Sequence, residues 1–134
     1  MSHSRRVDSH GVLITTLTGI VTLNELVRLQ NELENYAHDG EIYELVIHPE
    51  NSELLQDSNE SVLSADNVQK NLKKFKKGAI AFVADNDFIF GVCRQLQMRV
   101  ENEHIQLCVF RTEETALKWL YEIKSINTPA PEDS

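Results

Sequence analysis

Two short runs, Leu45-Val46-Ile47 and Ala79-Ile80-Ala81-Phe82-Val83-Ala84, are apolar at every position. A strand with one wet face alternates apolar and polar side chains, so unbroken runs of this kind predict strands covered on both faces. Such coverage calls for helices packed against the sheet, and helices that connect strands make them parallel. The feature therefore predicts an α/β chain.

The neighbouring segments supply the remaining elements. Val12 to Thr18, rich in β-branched residues and bounded by Gly11 and Gly19, predicts a strand. Ser9-His10-Gly11 reads as a turn that lets Arg5 to Asp8 pair back as an antiparallel edge. Thr22 and Glu25 have the spacing of a capping box, with Val21 and Leu26 as its staple, so a first helix starts there and runs to about residue 39, before Gly40. Its stripe is Leu26, Leu29, Leu33 and Tyr36. A second helix is expected from Ser64, as cap, to Lys77, with Ala65, Val68, Leu72 and Phe75 inward and Gly78 as terminator. A third opens around Asp85-Asn86-Asp87, turns Ile89, Val92, Leu96 and Val100 inward, and ends by about Glu103. Ile105 to Phe110 is a further strand, and Thr112 caps a last helix whose Ala116, Leu120 and Ile123 face the core. The order is a hairpin followed by α-β-α-β-α-β-α. The segment from Pro49 to Ser61 is the one long irregular connection expected, and such connections often carry function.

A length of 134 residues predicts one domain, placed at residues 5–126, with a disordered tail over 127–134. Acidic residues outnumber basic ones, 21 to 13, and the net charge of −8 argues against broad contact with phosphate backbones, so no nucleic-acid partner is expected. The residues Met1 to His10 are polar, and nothing approaches the roughly 18 apolar residues of a membrane span, which points to a cytoplasmic protein that is not integral to a membrane. Cys93 and Cys108 lie in apolar surroundings and read as buried free thiols.

The stretch from Gly78 to Asp85, a helix of about four turns, and then Val109-Phe110-Arg111-Thr112-Glu113-Glu114-Thr115-Ala116-Leu117-Lys118-Trp119-Leu120 resembles the closing pattern of the SpoIIAA-like family of bacterial proteins. These carry the STAS fold and are related in architecture to CRAL-TRIO lipid-binding domains. The Gly-bounded strand, the Thr22-capped helix and the Leu45-Val46-Ile47 strand agree with that family in order and spacing, so the resemblance covers roughly residues 5–124. It implies a mostly parallel sheet with one antiparallel edge strand and about four helices. STAS antagonists of anti-sigma factors take a phosphate on a serine of an Asp-Ser-Ser/Thr-Gly motif just after the strand that corresponds to Leu45 to His48. Here that place holds His48-Pro49-Glu50-Asn51-Ser52, while Asp57-Ser58-Asn59 lies later and lacks the glycine, so no phosphoacceptor carries over.

Four features bear on function. Lys70, Lys73, Lys74, Lys76 and Lys77 crowd eight positions and are expected to complement the end of the second helix, at about 0.3–1 kcal/mol each; the functional alternative, for Lys70, Lys73, Lys74 and Lys77, is an anionic group. The acidic set Glu50, Glu53, Asp57 and Glu60 lacks the alternate spacing and glycine of a calcium loop, and the five histidines lack the close pairing of a zinc site, so no metal is expected. No glycine-rich phosphate loop occurs, and no cofactor is expected. His48 closes a strand, where it would meet Asp85 and Asp87 at the carboxyl edge of the sheet, the usual ligand position in such folds. Finally, Phe88, Phe90 and Met98 are apolar residues of the third helix outside its inward stripe.

The resulting expectation is a non-catalytic, regulatory STAS-type module that binds a protein partner or a second copy of itself through the third helix. The alternative is a carrier or sensor of a small apolar or amphipathic, lipid-like ligand held between that helix and the sheet. An enzyme built on His48 ranks third.

Overall fold

In the computed structural model, which describes residues 2–50, 52–55 and 58–127, the chain is an α/β protein built on two sheets. The strands are β1 (Ser2–Val7), β2 (Leu13–Thr18), β3 (Ile20–Thr22), β4 (Glu41–His48), β5 (Glu53–Leu55), β6 (Lys77–Ala84) and β7 (Ile105–Phe110). The helices are α1 (Leu23–Asn31), α2 (Ser58–Leu72), α3 (Asp87–Arg99) and α4 (Glu113–Asn127). The main sheet runs β1-β2-β4-β6-β7, parallel throughout except for the antiparallel β1–β2 pair at its edge. This is the fold class expected, with four helices and one antiparallel edge.

Alternation along the strands divides the core in two. Leu13, Leu17, Ile42, Val46, Ile80, Phe82 and Ala84 point to one face, where Leu29 of α1, Val68 and Leu72 of α2, and Ile89 and Cys93 of α3 cover them. Ile14, Tyr43, Leu45, Ile47, Ala79, Ala81 and Val83 point to the other, covered by Ala116 and Leu120 of α4. The unbroken apolar runs are thus buried on both sides, as their composition requires.

The local capping signals hold. The Thr22 hydroxyl accepts from the Glu25 amide at 3.4 Å, and Val21 and Leu26 both pack in the core. Asn86 caps α3 by accepting from the Phe88 and Ile89 amides, and Thr112 caps α4 by accepting from the Thr115 amide.

Four helix boundaries differ from expectation. α1 stops at Asn31, and a 3-10 turn, Leu33–Tyr36, follows; the tighter turn keeps Leu33 buried and places the Tyr36 ring 5.4 Å from the Arg5 guanidinium. α2 starts at Ser58, so Ser64 is not a cap but a buried residue inside the helix, and it ends at Leu72, because the Lys76 amide binds the Gly40 carbonyl and Lys77 already belongs to β6. α3 ends at Arg99, short of Glu103, with the Val100 amide bonded to Leu96. The connection after β4 is not wholly irregular either, since β5 within it pairs in parallel with β3. Asn51, Gln56, Asp57 and the tail beyond Asn127 lie outside the described residues; Asn127 itself, expected in that tail, closes α4.

Gly78 opens β6 opposite Ile42 of β4. A Cβ there would overlap the Ile42 carbonyl oxygen, which is backbone inside the sheet and has no room to retreat. Gly78→Ala is therefore expected to cost at least about 3 kcal/mol, read as a lower denaturation midpoint in urea.

Candidate functional site

On the face covered by three helices, the pleat brings polar side chains into the core. Arg5 on β1 and Thr15 on β2 are cross-strand partners, and Glu44 on β4 lies beyond them. The Thr15 hydroxyl accepts from Arg5 Nε at 2.9 Å and donates to Glu44 Oε2 at 2.7 Å, while Arg5 Nη2 donates to the same carboxylate oxygen at 3.1 Å. The Arg5 and Glu44 side chains are 6% and 5% exposed, so this ion pair is buried. Burial pushes the Glu44 carboxyl above its usual range, against the Arg5 charge and the hydrogen bonds from Thr15 and Arg5. Because a guanidinium keeps its proton, Glu44 is its countercharge.

His48 ends β4 on the same face as Glu44 and Val46 and is also buried. Burial holds its pKa down to about 4, leaving a neutral imidazole near neutral pH. Arg5 Nη1 and His48 Nδ1 are buried without a hydrogen-bond partner among the described residues.

Both residues line a cavity of about 80 Å³ between the sheet and α1, α2 and α3. Leu17, Val46, Ile80 and Phe82 form its floor, and Leu26, Leu29, Val68, Val92 and Leu96 its apolar walls. Its roof includes part of a polar ladder joining α1 to α2: Gln30 Nε2 reaches Ser64 Oγ at 3.4 Å, Asn67 donates to Gln30 at 2.7 Å and Asn71 donates to Asn31 at 2.9 Å. A second, open depression on the other side is lined by His10, Tyr121, Lys124 and Ser125; the Tyr121 hydroxyl there donates to Asp8 at 2.7 Å.

The residues singled out from sequence are not gathered in one place. His48 lines the cavity, but Asp85 is exposed and does not join it. The Asp85 carbonyl accepts from Arg111, and Arg111 in turn pairs with Asp87 at 2.8 Å. The expected convergence of His48 with Asp85 and Asp87 does not occur, because strand alternation turns His48 inward under the helices while both aspartates stand outside. Phe90 is half-buried against the core with the Arg111 guanidinium 3.9 Å above its ring, so it is not an open apolar contact. Phe88 and Met98 are exposed, at 62% and 77%. Of the lysines only Lys70 is within α2. Lys73 and Lys74 lie in the turn after it, with Lys74 3.7 Å from Glu34, and Lys77 donates to the Asn127 carbonyl at 2.7 Å, so they serve several elements and not one helix end. Cys93 is buried, its thiol pushed up to about 12, and Cys108 is half-buried. Among the described residues no cluster of His, Cys, Asp or Glu is placed to hold a metal ion, and no helix is long and apolar enough to cross a membrane.

Arg5, Thr15 and Glu44 were not foreseen. The available signal was Glu44 and Thr15, polar residues embedded in otherwise apolar strand segments. No family model matches the chain, and no curated protein matches it.

His48 supplies a pH test. Its folded pKa lies below its ordinary value of 6.5, so its contribution is complete above pH 6.5 and is lost as pH falls toward 4, where the unfolded chain takes the proton first. Between pH 7 and pH 4 the wild-type chain should lose about 3 kcal/mol of unfolding free energy relative to His48→Leu, measured by urea denaturation at each pH.

Proposed function

We propose that this chain is a SpoIIAA-like, STAS-type module that binds a small amphipathic ligand inside its three-helix face, as a carrier or sensor, without chemistry of its own. The observation that carries this reading is the partly open cavity, apolar along its walls and lined by Arg5 and His48, each of which also carries a buried nitrogen with no hydrogen-bond partner among the described residues. Buried polar groups in folded chains are nearly always paired, and a few convergent polar groups in an apolar hollow are the usual form of a ligand site. The volume is modest, about 80 Å³, so the ligand is small. The element order and single antiparallel edge agree with what the family resemblance implies. Ser52, which follows β4 where STAS antagonists place their phosphoacceptor, is buried and donates to the Pro49 carbonyl at 2.8 Å, which disfavours a kinase-regulated role.

A partner-binding role for α3 rests on Phe88 and Met98. Ten residues apart on a helix, they stand about 15 Å apart along the axis and about 80° apart around it, so on α3 they form separate contacts and not one patch. The cavity is the stronger feature. Catalysis has less support still, because His48 is turned away from Asp85 and Asp87.

Native mass spectrometry of the full chain, with and without millimolar toluene, tests the reading. We expect one small-molecule adduct per chain, abolished by Val68→Phe, which fills the cavity with a change the core can absorb. A wild-type chain that stays bare under both conditions overturns it.

A further inference from the structure

Each helix over the cavity turns one stripe toward it, and the stripe of α3 is not uniform. Val92, Gln95, Leu96 and Arg99 all line the cavity, at the spacing that puts four residues on one face of a helix. The stripe starts on apolar Val92 and ends, about 10 Å further along the axis, on a guanidinium. Val92 and Leu96 are half-buried, whereas Gln95 and Arg99 are exposed, which places these two at the rim where the cavity opens to solvent. The α2 residues of the lining extend from Ser61 to Leu72, about 16 Å along that helix, so the hollow is long for its volume.

Charge at the rim is one-sided. Of the residues lining the cavity, Glu44 is the one carboxylate, and it is buried against Arg5 at 3.1 Å. Arg99 is the one charge of the lining without a counterpart: among the described residues it makes no ion pair or hydrogen bond, and Glu101 and Glu103, close after it in sequence, do not line the cavity. Although the chain carries a net charge of −8, the opening of this cavity therefore presents a cation and no acid. A charged head group is costly to bring into apolar surroundings, but at a rim it stays in water while the apolar body alone is buried.

Resting on the ligand-binding reading above, we infer that the cavity takes a short-chain monocarboxylate, with its apolar body along the hollow and its carboxylate at the rim on Arg99. The planar fork of a guanidinium donates two parallel hydrogen bonds to a carboxylate, and the Gln95 amide supplies a further donor one turn away on the same stripe. The single charge of Arg99 matches a monoanion, whereas an ammonium head would meet a like charge at the opening. Arg99 also lies in the last turn of α3, where a cation offsets the helix dipole. That role by itself would not separate ligands by their head groups.

The test is a titration of the isotope-labelled full chain at pH 7 with hexanoate, 1-hexanol and hexylammonium, which share one apolar body, followed by amide chemical shifts. Hexanoate should bind the wild-type chain at least about threefold more tightly than 1-hexanol, with hexylammonium weakest, the scale expected of a solvent-exposed but bidentate ion pair. Salt at about 1 M should shrink that margin, because screening then acts within about 3 Å. Arg99→Gln should bring hexanoate level with 1-hexanol, while Arg94→Gln, which removes an exposed charge of the same helix outside the lining, should keep the margin. Both positions are exposed, so neither change disturbs the core. A wild-type chain that binds 1-hexanol as tightly as hexanoate, an Arg99→Gln chain that keeps the preference, or an Arg94→Gln chain that loses it overturns the inference while leaving the ligand site standing. Failure of all three probes to bind the wild-type chain overturns the site as well.

Discussion

A buried ion pair sets the terms for the three-helix face. Arg5 and Glu44 sit on strands separated by β2, and Thr15 on that middle strand bridges them with one hydroxyl that both accepts and donates. The contact ties the antiparallel edge strand to the parallel sheet through side chains as well as through its backbone ladder. It also makes the strand register costly to change, since a slip of one residue would turn Arg5 to the outer face and leave Glu44 alone in the core. Helices α1, α2 and α3 must pass over this polar group, and the cavity lies where they do.

How far the chain could be read in advance depended on whether a feature was local. The parallel sheet was legible because Leu45-Val46-Ile47 and Ala79 to Ala84 are apolar without interruption, and the starts of α1 and α4 were legible because Thr22 and Thr112 cap through residues three positions away. The start of α2 was not. Ser64 followed by Ala65 and Val68 imitates a capped apolar stripe, while the true first turns carry Val62 and Leu63 exposed, off that stripe. β3 and β5 are three residues each and exist only by pairing across more than thirty positions, which periodicity does not report.

The site was less legible than the fold. His48 could be placed at a strand end, but its direction depended on counting the pleat from Glu44, whose own burial was not evident. Arg5 stands in a polar stretch beside Arg6 and carries no local sign that one of the two arginines is buried. Phe88, Phe90 and Met98 were read as lying outside the main inward stripe; Phe88 and Met98 are open to solvent, while Phe90 packs against the core with Arg111, just after β7, over its ring.

The two faces of the sheet are built differently. On the α4 side, Ala79 and Ala81 keep β6 low, so a single helix seats closely through Ala116 and Leu120. On the opposite side three helices span larger and partly polar side chains and enclose space. The sheet thus separates a dense layer from a permissive one. Substitutions that reshape the hollow act on contacts that α4 does not share, and their energetic effects add to those on the α4 side without coupling to them. A chain built in this way can change what it holds while the layer that keeps it folded stays as it is.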